Sequence, residues 1–160
     1  LAEQVPDSGG VTFVPALTGL GAPWWNSEVR GSISGITRGT TDAHIARATL
    51  EAVAFQVTDL VRAMESDLGT KINTLRVDGG MSVNNLLMQL ESNALSVPVE
   101  RGIVLESTGL GAAYLAGLGA GIFAGTEYLE TVWSLDQKFS PTQNATDLSQ
   151  WHSAVRRITS

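Results

Sequence analysis

The chain has 160 residues, 43% of them hydrophobic and only 16% charged, with a mean hydropathy of +0.10; that supports one self-sufficient core, excludes a disordered chain, and leaves apolar surface for a covering partner. A net charge of −6, with basic residues scattered singly apart from Arg156 and Arg157, excludes nucleic acid as the main ligand, because backbone binding needs a clustered positive field. The lack of cysteine excludes disulfide scaffolds, cysteine-ligated zinc and thiol nucleophiles, and suits a reducing cytoplasm.

The first ten residues carry neither a basic leader, nor an apolar run, nor an initiating Met, so they read as the start of a fragment and not as a secretion signal. Val11 to Pro15 and Gly31 to Ile36 read as two strands. Between them, Thr18 to Asn26 is a loop: Pro23 breaks any ladder, and the adjacent Trp24 and Trp25 need cover. A long helix is predicted from Thr41-Asp42, where oxygen-bearing side chains cap free N–H groups, to a stop at Gly69. Its apolar face is Leu50, Val53, Ala54, Val57, Leu60, Val61, Met64 and Leu68, opposite Arg47, Glu51, Thr58, Arg62 and Glu65.

Ile72 to Val77 reads as a buried strand, Gly79-Gly80 as a tight turn, and Ser82 as the cap of a second helix burying Val83, Leu86, Leu87, Leu90 and Ala94. Val97 to Glu100 is a short strand, which Pro98 marks as an edge or as ending early. Residues 107 to 126 are uncharged and carry Gly117 and Gly121 at a membrane-dimer spacing. They are built largely from Gly and Ala, however, and flanked by Glu106 and Glu127 where a membrane span would want basic or aromatic anchors. We expect instead a small-residue helix from Ser107 to Ala120, buried against another element. A short helix around Glu127 to Val132, a loop through Pro141, and an amphipathic helix from Asp147 that buries Trp151, Ala154 or Val155, and Ile158 complete the chain. The joints are short, so residues 1–160 read as a single domain.

The segment Asp78-Gly79-Gly80-Met81-Ser82-Val83-Asn84 is the best candidate site. Two residues without a Cβ let a ligand approach the backbone, the following helix start favours an anion or the polar edge of a nucleotide, and the Asn84 amide can both donate and accept. The same segment also fits a plain turn followed by a surface asparagine, and the residues alone do not separate the two. No G-x-x-x-x-G-K-[ST] motif exists, and Gly117-x-Gly119-x-Gly121 lacks the spacing and preceding strand of a dinucleotide fingerprint. His44 and His152 stand far apart without ligand spacing, so they read as helix residues and no metal site is expected. Glu51 reads as a solvated helix residue, and Arg30 and Arg38 as surface ion-pair formers. No nucleophile, base and orienter occur as a set, so no catalytic residue is assigned to this chain.

Several segments together resemble the FGGY carbohydrate kinases. Gly31-x-Ile33-x-Gly35-Ile36, then seven residues, then His44-Ile45-x-x-Ala48-Thr49-Leu50-Glu51 fits the family's C-terminal signature. Val14 to Trp25 resembles the preceding loop of the members that phosphorylate glycerol, and Arg76-Val77-Asp78-Gly79-Gly80 with Asn84-Asn85, then Leu110 to Leu118, are similar in order and spacing. The resemblance implies an α/β fold with a mixed sheet, part of an actin-like, ribonuclease H-like ATPase domain, this chain being most of the nucleotide-side domain and the signature helix a framework element. It implies that Gly79 and Gly80 line the adenosine side of ATP and that Asn84 contacts the base or ribose. The whole enzyme would transfer the γ-phosphoryl group of ATP to glycerol, with the glycerol contacts, the Asp general base and most of the Mg²⁺ site in an upstream domain. This chain alone would be inactive, and the full-length enzyme a cytoplasmic homo-oligomer. Alternatives are a pentulose or polyol kinase of the same family, a non-catalytic actin-like nucleotide-binding module, and an α/β domain without a ligand. Met81 departs from the family's small residue, and the stretch after Pro141 matches least.

Overall fold

The structure is a computed structural model that describes residues 1–127, 132–142 and 146–160. Strands β1 (Thr12–Val14) and β2 (Ser32–Ser34) pair antiparallel, Phe13 opposite Ile33. Helix α1 runs over Asp42–Leu68 and is closed at both ends by local chemistry. At its start Thr41 and His44 form a reciprocal box, the Thr41 N–H donating to His44 Nδ1 at 3.1 Å; at its end Gly69 takes φ +66, which a residue without a Cβ adopts freely.

The second sheet has the order β3-β4-β5, built from β3 (Leu75–Val77), β4 (Val99–Gly102) and β5 (Leu135–Phe139). β3 is parallel to β4, with helix α2 (Asn85–Leu95) as the crossover, and β5 is antiparallel to β4, which makes the sheet mixed. Helices α3 (Ser107–Gly119) and α4 (Ser149–Thr159) complete the described elements. Among the described residues no helix is long and apolar enough to cross a membrane.

α1 is the shared wall of two cores. On one side Ala52 and Phe55 meet Val14 of β1 and Trp151, Ala154 and Val155 of α4; on the other Ala54, Leu50 and Val53 meet Leu87 and Met88 of α2, Val99 and Phe139. Packing on two sides overrides the simple two-faced reading of this helix. Thr58, expected on the polar face, is fully buried and returns its hydroxyl to the Ala54 carbonyl at 2.8 Å, while Leu60, Met64 and Leu68 are exposed. No residue of α1 beyond Val61 is buried, because the last turns run past both cores.

Asp59, also buried, accepts from Trp151 Nε1 and pairs with His152 Nε2, both at 2.7 Å, and so pins α4 to α1. Gly35 of the signature and Gly9 of the N-terminal segment serve close packing here. A Cβ on Gly35, whose φ is +79, would overlap the Gly10 carbonyl oxygen, and one on Gly9 would lie 2.8 Å from the His44 ring. Of the two loop tryptophans, Trp24 packs against the first core and Trp25 is exposed.

Three further expectations are corrected. β4 is the central strand and not an edge, because Pro98 sits just before it and offers only its carbonyl, which accepts from the Leu75 N–H at 2.9 Å. β5 falls where a loop was expected: of Leu135 to Phe139 only Phe139 is buried, so no apolar alternation marks the strand. α3 is largely exposed and not buried, with only Gly117 buried and Leu115 open to solvent. The helix expected around Glu127 to Val132 falls mainly outside the described residues.

Candidate functional site

The glycine turn lies at the carboxyl end of the parallel pair β3–β4, the position where open α/β sheets take their ligands. Asp78 leaves β3, and Gly79 turns the chain with φ +81 and ψ 173, a conformation open to glycine and strained for other residues. The Gly79 N–H donates to the Leu105 carbonyl at 2.8 Å, tying the turn to the connection that leaves β4. Gly80 to Val83 then forms a 3-10 turn, in which the Ser82 N–H and hydroxyl both donate to the Gly79 carbonyl, at 3.1 and 2.7 Å.

This geometry corrects the expected capping. Ser82 is buried inside the 3-10 turn, and Asn84 is the N-cap of α2, its Oδ1 accepting from the Leu87 N–H at 3.0 Å. Asn84 has the better shape for the task because its backbone is extended, as a cap requires, whereas Ser82 is already committed to the tighter helix. The consequence for chemistry is specific: the carbonyl end of the Asn84 amide is used internally, which leaves Nδ2 as the end for a ligand.

The two glycines are not equivalent. A Cβ added at Gly79 or Gly80 would meet nothing within 4 Å, so both face open space, but only Gly79 needs glycine for its own backbone. Beside the turn, a cleft of about 950 Å³ opens between Asp78, the strand-end residues Gly102, Ile103 and Val104, and the face of α3 that carries Ser107, Gly111 and Tyr114. Its floor includes Trp133, with the Arg76 guanidinium stacked 4.1 Å from the ring centre.

Behind the turn lies a residue that sequence reasoning passed over. Arg101 of β4 is buried on the same sheet face as Val99; Nη1 donates to the Ser82 carbonyl at 2.7 Å and to Asn85 Oδ1 at 2.9 Å. Nε donates to Asp136 Oδ2 at 2.7 Å and Nη2 to Gln137 Oε1 at 3.1 Å. The available signal was positional: in a strand, Arg101 shares the inward face of Val99, and an inward guanidinium must find acceptors. Also on α2, Glu91 is buried, and burial pushes its carboxyl up to about 7.

The other singled-out residues lie elsewhere. Glu51 is paired with Arg47 at 2.9 Å with both side chains mostly covered, so it is not the solvated residue expected. It borders a separate groove of about 470 Å³ between α1, α4 and the N-terminal segment. Arg30 closes its own loop on the Ser27 and Val29 carbonyls, and His44 serves the α1 box. Among the described residues no three His, Cys, Asp or Glu side chains gather as a metal site would require.

Comparison with known proteins gives this geometry a context. The chain is 53% identical to glycerol kinase of Paracidovorax citrulli over 165 residues, covering 98% of this chain and 33% of that protein. It is likewise 53% identical to glycerol kinase 2 of Thermotoga maritima over 161 residues, covering 98% of this chain and 32% of the relative. The chain thus spans about a third of the length of these relatives. A crystal structure of Plasmodium falciparum glycerol kinase with ADP matches with a TM-score of 0.85 and 38% identity, over 98% of this chain and 32% of that one. Residues 1–120 match the model of the C-terminal domain of the FGGY family of carbohydrate kinases. That match covers most of the chain, so the chain belongs to the FGGY family of carbohydrate kinases.

Proposed function

We propose that this chain is the nucleotide-side part of an ATP-dependent kinase that phosphorylates glycerol to glycerol 3-phosphate. The observation that carries the reading is the open glycine turn at the ends of β3 and β4, in a chain 38% identical to a glycerol kinase crystallised with ADP. Gly79 and Gly80 line the adenosine through their backbone, and Asn84 donates from Nδ2 to the base or ribose. The chain's own work is to bind ATP and hold it still, so that the γ-phosphoryl group meets the glycerol hydroxyl in line; positioning and electrostatics carry most of the catalysis in such transfers.

The Asp that takes the hydroxyl proton and the glycerol contacts belong to the rest of the enzyme. Mg²⁺ neutralises phosphate charge when bound. Such an ion is held by one or two carboxylates together with the phosphates themselves, and by the family resemblance its site lies mainly outside this chain. Its partners are ATP and ADP on this part, glycerol on the other, and further copies of the same enzyme, in a cytoplasmic setting that a cysteine-free chain suits.

The test has two arms. ADP titrated calorimetrically into this chain should bind. Gly80→Leu should abolish binding with the thermal midpoint unchanged, while Asn84→Asp keeps the cap but loses the donor and weakens binding about tenfold, the loss of one neutral hydrogen bond. A chimera in which this chain replaces the matching third of the Thermotoga maritima relative should then release ADP with glycerol and not with D-xylulose. No ADP binding, or a chimera that turns over with xylulose in preference, overturns the reading.

A further inference from the structure

Arg101 is the one described side chain that joins the glycine turn, the start of α2 and β5. Its Nη1 grips the Ser82 carbonyl inside the 3-10 turn and Asn85 Oδ1 in the first residue of α2, while Nε and Nη2 hold Asp136 and Gln137 of β5. A guanidinium presents its donors in a rigid planar fork, so these four bonds fix the turn and the strand relative to each other instead of merely attracting them. A lysine could neutralise the same charge but could not span the same acceptors.

The grip also passes onward. Ser82, held by Arg101 through its carbonyl, donates twice to the Gly79 carbonyl, and Gly79 donates to Leu105 at the other edge of the turn. Asn84, between the gripped Ser82 and Asn85, is left with its Oδ1 on the α2 cap. The atoms that would face a nucleotide are therefore held from behind by a side chain that does not face it.

We propose that Arg101 is a positioning residue for nucleotide binding: it locks the turn from Gly79 to Asn84 against β5 in the form that receives the adenosine. This rests on the reading of that turn as the nucleotide contact. It would make nucleotide affinity depend on β5, a strand that contributes no residue to the turn itself.

The experiment compares Arg101→Lys and Arg101→Met with a control, Ser92→Ala. Ser92 anchors α2 to β5, its single hydroxyl proton shared between the Val97 carbonyl at 2.9 Å and the Phe139 carbonyl at 3.0 Å, so its loss loosens the same layer without touching the turn. Two readouts are taken on the chain: amide hydrogen exchange at Ser82, Asn84 and Leu87, and the dissociation constant for ADP. Both Arg101 variants should raise exchange at the three amides at least tenfold and weaken ADP binding at least tenfold, with Arg101→Lys no better than partial rescue. Ser92→Ala should lower the thermal midpoint yet leave both readouts within about twofold. Unchanged exchange in the Arg101 variants, or equal losses in Ser92→Ala, overturns the positioning role. Faster exchange in a chain whose parent form binds no ADP keeps the lock and overturns the nucleotide reading.

Discussion

Asp59→Ala should cost the chain a large part of its stability, and the amount follows from the burial of each group. Asp59 accepts from Trp151 Nε1 and pairs with His152 Nε2, both at 2.7 Å, and Trp151 is only 1% exposed. Removing the carboxylate strands the indole N–H where water does not reach, which costs about 1–3 kcal/mol. The His152 side chain is 30% exposed and can turn to solvent, so its pair contributes at most about 1 kcal/mol. The expected sum is about 1–4 kcal/mol, measured by urea unfolding followed by far-UV ellipticity. In a Trp151→Phe background no N–H remains to strand, so Asp59→Ala should cost about 1–3 kcal/mol less there. ADP affinity should be unchanged, since α4 packs behind α1 and away from the turn. An Asp59→Ala cost below about 0.5 kcal/mol, or the same cost in both backgrounds, would refute the assignment of Asp59 as the pin.

Gly35→Ala meets a backbone problem that no side-chain rotation relieves: φ is +79 and the new Cβ would overlap the Gly10 carbonyl oxygen. A midpoint lowered by about 2–8 °C in a thermal melt is expected, from about 1–2 kcal/mol for the left-handed backbone and the displaced loop, and a change under about 1 °C would contradict it. Glu91 ties stability to pH. Its folded pKa of about 7 lies above the ordinary carboxyl value of 4.5, so the stabilising protonated form is fully present below about 4.5 and is lost as pH rises through 7. Glu91→Gln should therefore match the parent near pH 4.5 and exceed it in thermal midpoint above pH 7; parallel pH profiles would count against burial as the cause.

The sequence by itself determined the elements whose signals are local. The capped start of α1 at Thr41 and its end at Gly69, the strand–glycine turn–helix order around Gly79, and the buried Trp151, Ala154 and Val155 of α4 were legible because caps, positive-φ turns and helical spacing act within a few residues. The family likeness rests on the resemblance of ordered segments from Gly31 to Leu118 to the FGGY kinases, and no local physical signal carries it. Only the tertiary structure decided what depends on distant partners. β5 shows no alternation because a strand paired on one side and buried at one residue needs none, and Thr58 is buried because α1 serves two cores at once. Asn84 took over the cap because Ser82 was drawn into the 3-10 turn, where its carbonyl meets Arg101. Arg101 joins residues 19 positions back to others 35 and 36 ahead, a separation that no local pattern records. A buried guanidinium is tolerated only where the fold brings its acceptors together, so its role exists in the assembled sheet and nowhere in the chain before it folds.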